Sequence, residues 1–273
     1  MLRRRGVSLS RVAAPAAVEV PRGLLERRIV AVPLSYLFWA ACVAIVILWT
    51  PLVATIRLLT HRSDPNRDRV GRFQRHSAAL AARINPFWDF RAVDEVHPDP
   101  RKPHLFVANH KSLADVFLLC LLPWEMKFLS KDSIFKIPLL GWQMRTSRDI
   151  PIERGNRDSA REAIEAMRDR LTRGSSVIVF PEGTRSPDGS VAPFREGAFR
   201  LAIELGVDVV PLAVAGTENT LPKHSLVFKP ATATVTVLPA VPVEGLTAAD
   251  APRLAERVRA AIAAAIGAPD GRT

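Results

Sequence analysis

In the stretch VANHKSLADVF (107–117), His110 closes one apolar run and Asp115 heads the next. An imidazole with one nitrogen held by a carboxylate keeps the other free to take a proton from a hydroxyl. Residues five apart diverge on a continuous helix. The two side chains therefore meet only if His110 lies in a loop that folds back over the first helical turn. Ser112 and Asp115 have capping-box spacing, which makes Ser112 the N-cap and Asp115 a first-turn residue. Spacing alone leaves a plainer alternative, in which Asp115 serves the helix dipole and His110 caps a strand.

Three further stretches carry polar groups at the ends of apolar runs. VIVFPEGTRSPDG (177–189) ends a buried strand with Glu182, Gly183, Thr184 and Arg185. Gly183 lets backbone approach a ligand closely, and Arg185 offers a planar fork for phosphate. Thr184 adds a hydroxyl. Glu182 is a poor phosphate ligand, but it can accept a hydroxyl or hold an arginine, and SPDG reads as a turn. RDIPIERGNR (148–157) brings a second arginine, Arg154, to a second strand end. The two arginines fit one shared anion site; solvated or ion-paired surface arginines are the alternative. VVPLAV (209–214) holds Pro211 inside an apolar run, which points to an edge strand or an irregularity, shape rather than chemistry.

The elements that must position these residues alternate along the chain. Apolar runs at 104–108, 126–130, 148–152, 175–180, 207–214 and 231–239 read as strands. Helical patterns cover 61–83, 112–122, 133–144, 157–172, 195–205 and 248–266. Such alternation predicts an α/β domain with a mixed, largely parallel sheet flanked by helices. Sites in such sheets lie at the C-terminal ends of the strands, where His110, Arg154 and Arg185 all fall.

Composition limits the partners. The 273 residues carry 38 Lys+Arg against 27 Asp+Glu, a net charge of +11. That excess suits anionic lipid or phosphorylated substrates. Few aromatics sit among the basic residues, so nucleic acid is excluded as a partner. Cys42 and Cys120 both lie in apolar runs, which argues against a disulfide framework or a metal site. Residues 29–56 are charge-free between Arg28 and Arg57. A bilayer crossing needs about 20 apolar residues, so a membrane-inserted segment is expected. No small-residue cleavage site ends the run. Arginines flank both ends, which allows either a tilted span or a re-entrant hairpin bent at Thr50-Pro51. The expected organisation is a basic tail (1–28), a membrane-inserted helix or hairpin (29–60) and a catalytic domain (61–273).

Together the four blocks resemble the glycerophospholipid acyltransferase family, which acylates lysophosphatidic acid and related lysolipids. The matching residues are Asn109 with His110-Lys-Ser-Leu-Ala-Asp115, Ile150-Pro-Ile-Glu153-Arg154, Phe180-Pro-Glu-Gly-Thr-Arg-Ser186 and Pro211; PFREGAF (193–199) resembles the family's basic segment. Two departures stand out: Arg148 where the family usually has glycine, and Glu153 where aspartate is common. The resemblance implies His110 as general base and Asp115 as its orienting partner. It implies Arg154, Gly183, Thr184 and Arg185 as holders of the acceptor phosphate, organised by Glu182. It also implies direct acyl transfer to the sn-2 hydroxyl of lysophosphatidic acid. The co-substrate would be acyl-CoA or acyl-carrier protein, with no metal or cofactor. The enzyme would work at the inner (cytoplasmic) membrane with its site facing the cytoplasm. The rival acceptor is another lysolipid such as lyso-ornithine lipid. Rivals of other classes are a membrane-bound serine hydrolase, for which no G-x-S-x-G elbow exists, and a non-catalytic basic membrane adaptor.

Overall fold

The computed structural model describes residues 22–94, 96–185, 190–221 and 225–267. Most of the basic tail, Ser186 and the expected SPDG turn lie outside them. Seven strands form one sheet: β1 (Trp88–Asp94), β2 (Leu105–Ala108), β3 (Lys127–Lys131), β4 (Ile150–Ile152), β5 (Val177–Val179), β6 (Val209–Ala215) and β7 (Ala231–Val237). Their spatial order is β1-β7-β6-β2-β5-β3-β4. Every neighbouring pair is parallel except β6 and β7. The α/β architecture read from the sequence is thus the observed one.

Nine helices accompany the sheet among the described residues: α1 (Arg22–Leu25), α2 (Arg28–Leu59), α3 (Asp68–Ile84), α4 (Ala114–Leu119), α5 (Asp132–Phe135), α6 (Leu140–Thr146), α7 (Arg157–Thr172), α8 (Gly197–Leu205) and α9 (Ala251–Gly267). Strand periodicity assigns the two faces. Val209 and Ala213 of β6 pack with Met167 of α7, Phe199 of α8 and Val258 of α9. Val210, Leu212 and Val214 pack with Ala79 of α3 and Leu118 of α4. Helices thus cover the sheet on both sides, which is why its central strands are apolar throughout.

Three expectations need correction. β1 falls in a stretch to which no element was assigned, although Trp88, Phe90 and Ala92 alternate with Asp89 and Arg91 as an edge strand should. Pro211 is not on an edge. It lies in β6 between β2 and β7, opposite Val107, with β7's antiparallel ladder starting one residue later at Leu212. The missing N–H coincides with a gap in that ladder, before the separate Val209–Val241 bridge. The helix expected at 133–144 is two short helices, α5 and α6, parted at Pro138-Leu139.

The apolar segment is one unbroken helix through Pro33 and Pro51, and no hairpin forms. At about 1.5 Å per residue its 32 residues extend roughly 48 Å. Gln143 of α6 donates to Val46 O (2.9 Å) and Thr50 Oγ1 (2.8 Å) in the turn before Pro51, which ties α6 to the middle of α2. One side of α2 is docked on the domain. Ala31, Ser35, Phe38 and Val53 are buried, Trp49 Nε1 donates to Phe73 O (3.0 Å) and Trp39 Nε1 to Leu226 O (2.9 Å). Ser35 Oγ accepts from Phe228 N at 2.9 Å. Phe228 is 1% exposed and packs edge-on against Phe38 (5.0 Å) and Trp88 (5.3 Å). The other side, with Ile29, Leu37, Val43, Ile47, Leu48 and Leu52, is apolar and exposed.

Phe228→Ala is expected to cost about 3–5 kcal/mol, the usual penalty for emptying a buried aromatic site. Denaturation of the detergent-solubilised chain measures it. A loss near zero would mean that α2 is not docked as described.

Candidate active site

β2 ends at Ala108, and the loop that follows is fixed from three directions. Asn109 Nδ2 donates to Val214 O (2.9 Å) and its Oδ1 accepts from Val214 N (2.8 Å), which ties β2's end to β6. His110 N donates to Glu182 Oε1 at 2.7 Å, which ties the same loop to the segment after β5. The loop then folds back over α4. His110 Nδ1 donates to Asp115 Oδ2 at 2.8 Å, and Lys111 N and Ser112 N donate to the same oxygen at 2.7 and 2.9 Å. Only half of the expected capping box forms. Asp115 does cap Ser112 N, but Ser112 Oγ accepts from Ala114 N (3.3 Å) and meets Thr220 Oγ1 (2.9 Å).

Asp115 is fully buried, and its second oxygen accepts from Thr217 Oγ1 at 2.5 Å. Thr217 belongs to the loop after β6, 102 residues away in sequence. Phe180 stacks on the His110 ring, 4.3 Å between centroids. No hydrogen bond among the described residues engages His110 Nε2. With Nδ1–H given to the carboxylate, Nε2 carries the lone pair and is available as a base. Lys111 is buried and pairs with Glu218, so it is spent on structure.

Glu182 has a different task from binding substrate. Its two oxygens accept from His110 N (2.7 Å) and Ala192 N (3.0 Å), so it joins the loops on either side of the site. Burial raises its pKa, and those two N–H groups oppose the rise. Gly183 has φ +73, and a Cβ there would sit 2.8 Å from the Arg195 guanidinium. The positive φ favours glycine, and the contact puts the Arg195 guanidinium against its backbone. Arg195, from the PFREGAF segment, is therefore a site residue that no motif position identified. Arg154 is exposed, yet partial desolvation lowers its pKa, and the positive fields of Arg185 and Arg195 lower it further. Among the described residues none of the three arginines has a carboxylate partner. Arg154 is within electrostatic range of both Arg185 and Arg195, and such a basic cluster suits an anion. Thr184 and Arg185 are exposed beside it. Pro211 stays mid-strand and does not reach this edge.

The second block explains its own departures. Arg148 has φ +63, the conformation for which glycine is suited. Here Arg148 is held by Asp169 (2.6 Å) and Pro65 O (3.2 Å). Glu153 accepts from Asn156 Nδ2 (3.0 Å), and Asn156 Oδ1 in turn caps α7 through Asp158 N (3.0 Å). That local network places Arg154 at the end of β4. Beside α4 runs an apolar cavity of about 330 Å³. Leu113, Val116, Phe117 and Cys120 form its α4 wall, and Trp39 and Ile45 face them from α2. These α4 residues recur at helical spacing, and the wall starts three residues after His110. No group of three or more His, Cys, Asp or Glu fit to hold a metal occurs among the described residues.

A parallel-sheet domain with a His–Asp pair, an arginine cluster and an apolar cavity at one strand edge defines a class of acyl-transfer site. Residues 90–215 match the Acyltransferase family model. The chain is 37% identical over 184 residues to a 1-acyl-sn-glycerol-3-phosphate acyltransferase of Chlamydomonas reinhardtii, covering 66% of this chain and 54% of the relative. It is 35% identical over 165 residues to the human alpha form of the enzyme of that name, covering 60% of this chain and 58% of the relative. It thus spans little more than half the length of these two relatives. In fold it is similar to the crystal structure of the 1-acyl-sn-glycerophosphate (LPA) acyltransferase, PlsC, of Thermotoga maritima. There the TM-score is 0.75 at 24% identity, over 90% of this chain and 98% of that one.

Thr217→Val keeps the shape of the side chain but leaves Asp115 Oδ1 without its donor. An unsatisfied buried charge costs about 1–3 kcal/mol, so kcat for acyl transfer is expected to fall roughly tenfold or more. KM values should hold, and Thr217→Ser should restore the rate. Equal kcat in the valine variant and the wild type would remove Thr217 from the site.

Proposed function

We propose that the protein is a membrane-bound O-acyltransferase that moves a fatty acyl group from acyl-CoA or acyl-carrier protein to the sn-2 hydroxyl of lysophosphatidic acid. The observation that carries this reading is the meeting of three features at one sheet edge. His110 in the loop after β2 has a free Nε2, three arginines without carboxylate partners among the described residues follow β4 and β5, and the apolar cavity begins at Leu113, three residues after His110. The names of the relatives support the same acceptor.

His110 Nε2 takes the acceptor's hydroxyl proton as its oxygen attacks the thioester carbonyl. Asp115 fixes the ring and stabilises the imidazolium that forms. The tetrahedral intermediate then collapses. The C–S bond breaks, and the thiolate recovers the proton from Nε2. Arg154, Arg185 and Arg195 hold the acceptor phosphate, with Thr184 beside them, and the acyl chain lies in the cavity along α4. A phosphate-free acceptor such as lyso-ornithine lipid would make less use of the arginines. Ser112 is 1% exposed and hydrogen-bonded to Thr220, a poor position for a hydrolase nucleophile.

The docked face of α2 sets the membrane geometry. A helix packed on the domain from Ala31 to Val53 embeds its outer apolar side in one leaflet. Lysolipid and product are both bilayer-resident, so the site stands at the surface where they are. Arg27, Arg28, Arg57 and Arg62 at the two ends suit anionic headgroups and support a cytoplasm-facing site.

The test is an assay of reconstituted protein with acyl-CoA or acyl-carrier protein and a panel of lysolipids. Transfer to lysophosphatidic acid is expected, falling about 10²–10⁴-fold in His110→Ala. Undiminished transfer in that variant, or transfer only to a phosphate-free lysolipid, would refute the reading. Arg154→Ala, Arg185→Ala and Arg195→Ala should each raise the acceptor KM roughly tenfold, as loss of a charged hydrogen bond does. The donor KM should stay unchanged; equal rises for both substrates would contradict a phosphate role.

A further inference from the structure

The segment between α5 and α6 is built against its own backbone preference. Leu139 has φ 60 and ψ −54, and Leu140 N donates to Pro138 O at 2.6 Å. That is a γ-turn of the positive-φ kind, rare and strained, at a residue with a branched apolar side chain. Among the described residues that side chain is only partly covered. Ile137, Leu139 and Trp142 are 48%, 39% and 38% exposed. A soluble surface has no use for a strained, exposed leucine at the tip of a turn.

The neighbours of the turn say what meets it. Gln143, next to Trp142, is fully buried and bonds Val46 O and Thr50 Oγ1 of α2. The turn is therefore held beside the middle of the charge-free helix, and its apolar tip extends the outward stripe of Val43 and Ile47. Exposed Lys131, Lys136 and Arg145 flank it, with Asp132 paired to Lys136 and Glu153 in range of the same lysine. Apolar tip, tryptophan and flanking cations together are the composition of an element that sits at a lipid interface. The turn also borders the cavity. Ile134, Ile137 and Leu140 line it opposite Cys42, Ile45 and Val46 of α2. Ile137 and Leu113 line the cavity and are also exposed, so they mark its mouth.

We propose that the turn Ile137–Trp142 is a second membrane-contact element, inserted in the bilayer beside α2, where it forms the outer lip of the opening through which an acyl chain enters the cavity. This rests on the membrane reading given above for α2. The partner is the lipid surface, and the role of the strained turn is to hold Leu139 outward.

Leu139→Asn and Leu139→Gly test it, because both residues accept positive φ and so remove the strain along with the apolar tip. Full-length protein is reconstituted in vesicles of phosphatidylglycerol and phosphatidylethanolamine. Both variants should melt at the wild-type temperature or above. Transfer to long-chain lysophosphatidic acid in the vesicles should fall about tenfold, while transfer to a water-soluble short-chain acceptor stays unchanged. Equal vesicle rates in variant and wild type, or equal losses on both acceptors, would overturn the proposal. A shift from dimer to monomer in either variant would overturn it too, since a second copy would then be the occupant. A measurement without turnover separates this from the proposed reaction. Lipids brominated near the interface should quench wild-type tryptophan emission more than that of Trp142→Phe. Equal quenching would refute membrane contact whether or not the enzyme transfers acyl groups.

Discussion

Four donors converge on the carboxylate of Asp115, which is fully buried at the first turn of α4. A charge so placed is tolerable only when each lone pair is met. Three of the donors come from the loop after β2 and the fourth from the loop after β6. Satisfying this one group therefore folds His110 over the helix, closes the Lys111-Ser112 turn and draws Thr217 in from 102 residues away. Glu182 repeats the device on the other side, with both oxygens spent on backbone N–H groups of His110 and Ala192. Two buried carboxylates thus lock the strand-end loops, and the base that they frame has little freedom to leave its orientation.

The loop that supplies Thr217 also reaches the membrane helix. From Thr217 at the catalytic carboxylate it runs to Thr220, which meets Ser112, and then to Leu226 and Phe228, which bond to Trp39 and Ser35 of α2. One stretch of chain therefore joins the apolar helix to the site. The acyl cavity lies between the same partners, with α2 on one side and α4 on the other. The apolar helix and the site thus share walls, as the proposed transfer between lipids requires.

Much of the site was legible in the sequence because its residues follow the ends of short apolar strands in recognisable blocks. His110, Asp115, Arg154 and Arg185 all stand at the predicted edge. What stayed hidden depends on contacts distant in sequence. Thr217 has no local pattern that links it to Asp115. Arg195 was visible as part of a basic segment, but its place against Gly183 follows only from the fold. Phe180 read as the last residue of a strand, and its stacking on His110 is a tertiary fact. Pro51 allowed a bend in one reading, and the helix instead runs on through it, with Gln143 of another helix bonded to the turn before it. β1 was legible in its alternation, but the charged residues of an edge strand obscured it. Arg148 illustrates the reverse: a residue that departs from the family pattern occupies the positive-φ position that explains the pattern.

The central claim is that the negative charge of Asp115, held by four donors, sets His110 as a base. Asp115→Asn tests this most directly, since the amide keeps the volume and most of the hydrogen bonds but loses the charge. Loss of the corresponding charge in a serine-protease triad costs about 10⁴-fold in kcat. A fall approaching that size, with the melting temperature and both KM values near wild type, is the predicted result. A variant that transfers acyl groups within about threefold of the wild-type rate would contradict the account.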